Sequence, residues 1–129
     1  MSNTGLGAAL RKLRDRRTLS VREIAKLSGV DHAYVHRLET GEKTKPSTEL
    51  IGKLLKALKA NERDAAIVKW LVEHPDANPQ LIDFVLDDPS IEVDVFTVAA
   101  GARHRGGVRP DPATLIERVR RALNSADDE

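Results

Sequence analysis

Residues 20–41 read SVREIAKLSGVDHAYVHRLETG, and their apolar periodicity predicts two short helices joined by a tight turn. Ser20 and Glu23 have the spacing of a capping box, in which each side chain satisfies a free amide at the start of the first helix. A glycine at position 29 ends this helix after about two turns. The side chains that it is expected to bury are Ile24, Ala25 and Leu27.

The second helix of this unit is expected over residues 32–40, with Asp31 as its N-cap and Gly41 as a left-handed C-cap. If Val35 and Leu38 face the core, the side chains left facing outward are those of His32, Ala33, His36 and Arg37. A convex helix that carries polar donors has the dimensions of the DNA major groove. Helices this short need a scaffold, which the leucine-rich stretches on both sides of the unit supply.

The charges of the chain are unevenly distributed, although its 129 residues carry a net charge of only +1. Residues 1–60 contain 13 Lys and Arg residues against 6 Asp and Glu residues, whereas residues 61–129 contain 8 against 14. A basic half beside an acidic half indicates one domain that binds a polyanion and a second domain that stays off it. Charges scattered over solvated surfaces are the alternative.

The composition argues against several classes of protein. Because the chain has no cysteine, it has no disulfide, no thiolate zinc site and no cysteine nucleophile. We expect a cytoplasmic protein without a membrane segment, since no apolar run reaches the length of a spanning helix. No catalytic constellation is evident, so we do not expect an enzyme. His32 and His36 have metal-ligand spacing but no third ligand, so we expect neither a metal nor a cofactor.

Further helices are expected on both sides of the central unit. Residues 90–96, SIEVDVF, alternate apolar and acidic side chains, which is also typical of a strand. A single strand without a partner is not stable, so we favour a helix capped by Asp94 over residues 95–103. RHRGGVRPD at residues 103–111 is expected to be an exposed loop. The other predicted helices cover residues 5–17, 48–59, 62–74 and 112–123, with a short helix that begins at Pro79.

Residues 5–60 resemble the Cro/λ-repressor type of helix-turn-helix domain, the XRE family, through the segments LSVREIAKLSGV and YVHRLETGEKTKPS. The resemblance implies that the helix over residues 32–40 reads DNA and that Arg14 and Glu39 form a buried ion pair. Val21 departs from the family pattern, because many members have a polar, phosphate-contacting residue there. The expected phosphate-contacting residues of this chain are Ser20, Arg22, Lys43, Thr44 and Lys45.

The expected base-reading residues are His32, Ala33, His36 and Arg37. An arginine can bond both guanine acceptors at once, a histidine can donate to a purine N7, and an alanine can touch a thymine methyl group. Two solvated side chains on an ordinary surface helix are the alternative for His32 and Arg37.

The second half of the chain is similar to a subgroup of these repressors that governs DNA-damage or mobile-element genes. The similar segments are LIDFVLDDPS, an arginine-glycine loop and a closing LIERVRRALN. In that subgroup a small helical C-terminal domain forms the dimer, and a partner zinc metallopeptidase cuts an exposed loop. The resemblance implies a cut near His104 and Arg105, although this chain has a histidine where the subgroup has leucine before the arginine.

The predicted fold is therefore all-α. A five-helix-like Cro/λ-repressor helix-turn-helix domain is expected over residues 1–60, followed by a small helical dimerisation or regulatory domain over residues 61–129. The predicted function is that of a homodimeric repressor that binds double-stranded DNA. The alternative is an antitoxin-like or adaptor protein whose C-terminal domain binds a protein partner.

Overall fold

A computed structural model describes residues 4–102 and 110–127, which fold into eight α-helices with no β-strand among them. The prediction of an all-α fold is confirmed. None of the described helices is both long enough and apolar enough to cross a membrane. In chain order the helices are α1 (Gly5–Arg16), α2 (Val21–Ser28), α3 (His32–Thr40), α4 (Thr48–Ala57), α5 (Glu62–Glu73), α6 (Pro79–Asp87), α7 (Val93–Gly101) and α8 (Pro112–Asp127).

Local sequence explains where the helix-turn-helix unit begins and ends. The Ser20 side chain accepts a hydrogen bond from the Glu23 amide while the Glu23 side chain accepts one from the Ser20 amide, which completes the capping box at the start of α2. Gly29 and Gly41 end α2 and α3 with left-handed φ angles of 75° and 90°. A side chain would be strained at either angle, so glycine is favoured at both positions.

Two details of this unit differ from the prediction. Asp31 occupies the N-cap position of α3, but its side chain makes no capping hydrogen bond. Leu27 was expected in the core, yet 59% of its surface is exposed. The buried stripe of the short helix α2 consists of Ile24 and Ala25, and at about 3.6 residues per turn Leu27 lies on the side of Ile24 that faces away from Ala25. The core side of α2 packs against α3 and α4.

Helix α1 is the element that the two halves of the chain share. It packs against α3 of the first half and against α5 and α6 of the second half. Gly7 allows the close approach to α3, because a Cβ atom there would lie 2.4 Å from the carbonyl oxygen of Glu39. Gly5 allows a similar close approach to the second half of the chain. Its amide donates to the Pro75 carbonyl at 2.9 Å. The buried apolar side chains of both halves consequently form one continuous core.

A buried carboxylate reinforces this junction. Asp64 on α5 is only 2% exposed and accepts hydrogen bonds from Arg16 on α1 at 2.9 Å and from Arg63 at 2.8 Å. Both arginines also donate to backbone carbonyls at the C-terminal end of α6, namely those of Leu86 for Arg16 and of Val85 and Asp88 for Arg63. One carboxylate and two guanidinium groups therefore join α1, α5 and α6.

The later helices differ from the prediction mainly in their bounds. The helical interpretation of residues 95–96 is correct, but α7 begins at Val93 after Glu92 rather than after Asp94. The earlier start follows from the backbone, since the Phe96 amide donates to the Glu92 carbonyl at 3.0 Å. Helix α8 continues to Asp127 instead of ending near residue 123. The predicted boundary between domains after residue 60 stays a prediction.

Candidate nucleic-acid interface

One face of α3 is open to solvent, and it carries the four residues predicted to read bases. His32, His36 and Arg37 are exposed and Ala33 is partly exposed. The opposite face is formed by Val35, Leu38 and Glu39, all of which are buried. This division follows from helical periodicity, which separates the two faces of a nine-residue helix.

The orientation of α3 is fixed by an arginine on α1. Arg14 donates from Nε and Nη2 to the two carboxylate oxygens of Glu39 at 2.8 and 2.9 Å, and from Nη1 to the Leu19 carbonyl at 2.8 Å. The predicted pair thus has bidentate geometry, with side chains only 14% and 8% exposed. The hydrogen bond to Glu39 raises the pKa of Arg14 above its ordinary value, while burial opposes this shift. The contact ties α3 to α1 and to the segment that enters α2.

The N-terminus of α2 presents Ser20 and Arg22, both of which are exposed. The Ser20 hydroxyl accepts a hydrogen bond from the Glu23 amide as part of the capping box. The Ser20 amide, however, donates to the Glu23 carboxylate at 2.9 Å. The same hydrogen bond, followed by that of the Ser20 side chain, lowers the pKa of Glu23. A negative charge therefore lies at a helix end that would otherwise favour a phosphate.

The three predicted phosphate contacts after α3 lie in the connection to α4. Lys43 and Lys45 are exposed, and Thr44 is partly exposed. The Lys43 amide donates to the Arg37 carbonyl at 3.0 Å, which holds the start of this connection against the end of α3. The predicted phosphate contacts therefore lie in the segment that directly follows α3.

Several residues that form charged contacts in the folded protein are not identified from the sequence. Glu42 lies 3.9 Å from Arg37, although a separation of five residues is not a helical pairing distance. Arg16, Arg63 and Asp64 meet only in the folded chain, because Arg16 and Asp64 are 48 residues apart. The one local signal for the Asp64 contacts is the capping hydrogen bond at the start of α5, in which the Asp64 amide donates to the Asn61 side chain.

The predicted cleavage loop and the histidine pair with metal-ligand spacing are the remaining sites expected from the sequence. His104 and Arg105 lie outside the described residues. The described part of the chain contains no group of three or more histidine, cysteine or acidic residues arranged to hold a metal ion. His32 and His36 are exposed residues on successive turns of α3.

Comparison with known proteins agrees with the geometry of the first four helices. Residues 5–66 match the family described as a helix-turn-helix domain. Over 53 residues the chain is 43% identical to the HTH-type transcriptional repressor RghR of Bacillus subtilis, a match that covers 41% of this chain and 39% of that protein. Over 85 residues it is 28% identical to the uncharacterized HTH-type transcriptional regulator Rv0474 of Mycobacterium tuberculosis, covering 66% and 59% of the two chains.

The matched regions therefore span less than two thirds of the length of either relative. The RghR match is limited to about the length of one small domain, whereas the Rv0474 match extends beyond it. Residues 5–66, which include the buried Arg14–Glu39 pair and the exposed face of α3, are therefore similar to a helix-turn-helix domain of transcriptional regulators.

Proposed function

We propose that this protein is a sequence-specific DNA-binding transcriptional regulator that represses its target as a dimer. The observation that carries the proposal is the exposed face of α3 with its polar side chains. The buried side of this helix is held against α1 by the hydrogen bonds from Arg14 to Glu39. A fixed helix loses little conformational freedom when it enters the major groove, so more of the contact energy appears as affinity.

Base reading is assigned to His32, Ala33, His36 and Arg37. Arg37 is the main candidate because its side chain is 49% exposed and its terminal guanidinium nitrogens can bond both acceptors of a guanine. His32, with 52% exposure at the first turn of α3, can donate to a purine N7.

Phosphate contact is assigned to Ser20, Arg22, Lys43, Thr44 and Lys45. These residues lie on both sides of α3 along the chain, and the half that contains them is the basic one. The acidic second half is repelled by phosphate, which favours docking through the basic face. Contacts of this kind position a protein on DNA without reading its sequence.

Dimerisation is assigned to the helical region over residues 61–129. One recognition helix reads too few base pairs to find a single site in a genome, and two-fold symmetry doubles the contacts. By the resemblance to the metallopeptidase-controlled subgroup, a partner zinc metallopeptidase relieves repression by cutting the chain within residues 103–111. Such a cut separates α8 from the rest of the chain, leaving it held by its packing against α6 and α7.

The test begins with selection of duplexes from a random library by the full chain, followed by affinity measurements on selected and scrambled duplexes. Enrichment of a two-fold symmetric sequence with half-sites about one turn apart is expected. Arg37→Ala should weaken binding to the selected duplex by about 5- to 150-fold, with little effect on the scrambled one. Equal losses on the two duplexes would remove Arg37 from the base-reading set.

Lys45→Ala provides the contrasting result. It should weaken binding to both duplexes alike and reduce the slope of log K against log salt by about 1. Lys53→Ala is the matched control, because it removes an exposed lysine from α4 outside the assigned contacts. If no sequence is enriched and the chain instead captures a protein partner without DNA, the antitoxin-like or adaptor alternative replaces this proposal.

A further inference from the structure

The connection after α3 is folded back onto the last turn of that helix. Two donors converge on the Arg37 carbonyl, the Lys43 amide at 3.0 Å and the Thr40 hydroxyl at 3.2 Å. The Glu42 amide donates in turn to the Thr40 hydroxyl at 3.5 Å, and Gly41 makes the reversal with its left-handed φ of 90°. The backbone on both sides of Glu42 is consequently fastened to the end of α3.

This turn places the Glu42 carboxylate beside the Arg37 side chain. Oε2 of Glu42 lies 3.9 Å from Nε of Arg37, and the two side chains are 67% and 49% exposed. The approach is to Nε, so both terminal nitrogens of the guanidinium remain available for another partner. Those terminal nitrogens form the edge that pairs with a guanine in bidentate recognition.

We propose that Glu42 is a positioning residue for DNA sequence discrimination, an inference that rests on the proposed function. Glu42 orients the guanidinium of Arg37 toward base edges, which reduces the side-chain freedom lost when a guanine is bound. Its negative charge also opposes close approach to phosphates, and binding to random DNA depends almost entirely on that approach. Both effects raise the preference for a specific site over random DNA.

The other acidic residues near α3 are committed elsewhere. Glu39 is buried against Arg14, and Glu23 accepts from the Ser20 amide. Asp31 lies 4.0 Å from the imidazole of His32, at the opposite end of the helix. Within residues 4–102 and 110–127, Glu42 is the acidic side chain at ion-pair distance from Arg37.

The test compares the full-length protein with three variants on a duplex selected by the wild type and on its scrambled version. Glu42→Gln is expected to bind the scrambled duplex about 3-fold more tightly and to lose about 10-fold in the ratio of the two affinities. Glu42→Asp keeps the charge but shortens the reach, so it should leave scrambled binding unchanged and still lower the ratio. Melting temperatures of the variants should match the wild type.

Glu49→Gln is the matched control, since Glu49 is an exposed acid on α4 that pairs with Lys53 at 3.7 Å. It makes the same change in charge and should leave the ratio unaltered. Repeating Glu42→Gln in an Arg37→Ala background should lower the ratio only by the gain of about 3-fold on the scrambled duplex, because the orienting effect passes through Arg37 whereas the repulsion of phosphates does not.

Three results would overturn the inference. They are a ratio that stays constant in Glu42→Gln, a ratio that falls equally in Glu49→Gln, and a fall caused by Glu42→Gln in the Arg37→Ala background as large as that in the wild type. If the wild type itself has no sequence preference, the proposed function fails together with this inference. If the wild type prefers the selected duplex and the Glu42→Gln variant prefers it equally, only the role of Glu42 is contradicted.

Discussion

The Asp64 carboxylate should be worth more to stability than any exposed ion pair between the two halves of the chain. Asp64→Asn keeps the size of the side chain but turns an NH2 group toward two guanidinium groups. Asp64 is 2% exposed, and its partners Arg16 and Arg63 lie at 2.9 and 2.8 Å. When the Asp64 carboxylate is removed, neither arginine side chain can turn into solvent without breaking its hydrogen bonds to carbonyl oxygens at the end of α6.

The two contacts contribute unequally. The hydrogen bond from Arg63, whose side chain is 18% exposed, is of the charge-assisted kind worth about 2 kcal/mol. The bond from Arg16 is reduced to about 1 kcal/mol by solvent screening, because 40% of that side chain is exposed. Asp64→Asn should therefore lower the free energy of unfolding by about 3 kcal/mol and the melting temperature by about 10 °C.

Asp87→Asn is the matched comparison. Asp87 also joins α6 to α1, through Lys12 at 2.8 Å, but its side chain is 65% exposed. The same substitution should cost less than about 1 kcal/mol there. Urea unfolding followed by circular dichroism measures both variants, and equal slopes against urea would show that the unfolded states are comparable. A loss in Asp64→Asn no greater than that in Asp87→Asn would refute the reasoning.

Gly7→Ala should destabilise the protein by about 2 kcal/mol, because its Cβ atom would meet the α3 backbone at 2.4 Å. Gly52→Ala, with open space around the added methyl group, should stabilise it by about 0.5–1 kcal/mol, and opposite shifts in melting temperature check the pair. Arg14→Met and Glu39→Leu should each cost about 3 kcal/mol, while the double variant should cost less than their sum in a double-mutant cycle. Hydrogen bonds from a threonine in the first turn of α8 hold the pKa of Asp111 below its ordinary value of 3.8. Because the folded-state pKa is the lower one, this stabilisation is complete above the unfolded pKa and disappears as the pH falls through the folded one. The unfolding free energy of Asp111→Asn should therefore decline less steeply than that of the wild type between about pH 5 and about pH 3, as urea titrations at each pH can test.

Local features of the chain could be predicted because their causes lie within a few residues. The capping box of Ser20 and Glu23 needs only two residues three positions apart, and the left-handed glycines need only their own lack of a side chain. The exposed face of α3 follows from the same periodicity that buries Val35 and Leu38. The expected pairing of Arg14 with Glu39 came from resemblance, since 25 residues separate the two side chains.

The predictions were weakest where packing against distant helices decides the outcome. Leu27 is apolar, so the sequence predicts a core position, yet the side chain is exposed in the folded protein. The start of α7 was placed two residues late, because Asp94 is a better N-cap residue than Glu92. Hydrophobic pattern and helix propensity describe an isolated helix. The orientation of α7 in the folded protein depends instead on the burial of Val95, Phe96 and Ala99 in the core.

The sequence by itself determined the helical character of this protein, the helix-turn-helix unit and the polar face of α3, since each depends on periodicity and caps over one or two turns. Only the tertiary structure decided that α1 serves both halves, that Asp64 lies between two arginines, and that Glu42 stands beside Arg37. Those contacts join residues that are far apart in the chain or separated by a reversal of its direction. Their formation depends on how several helices share one core, which no local pattern encodes.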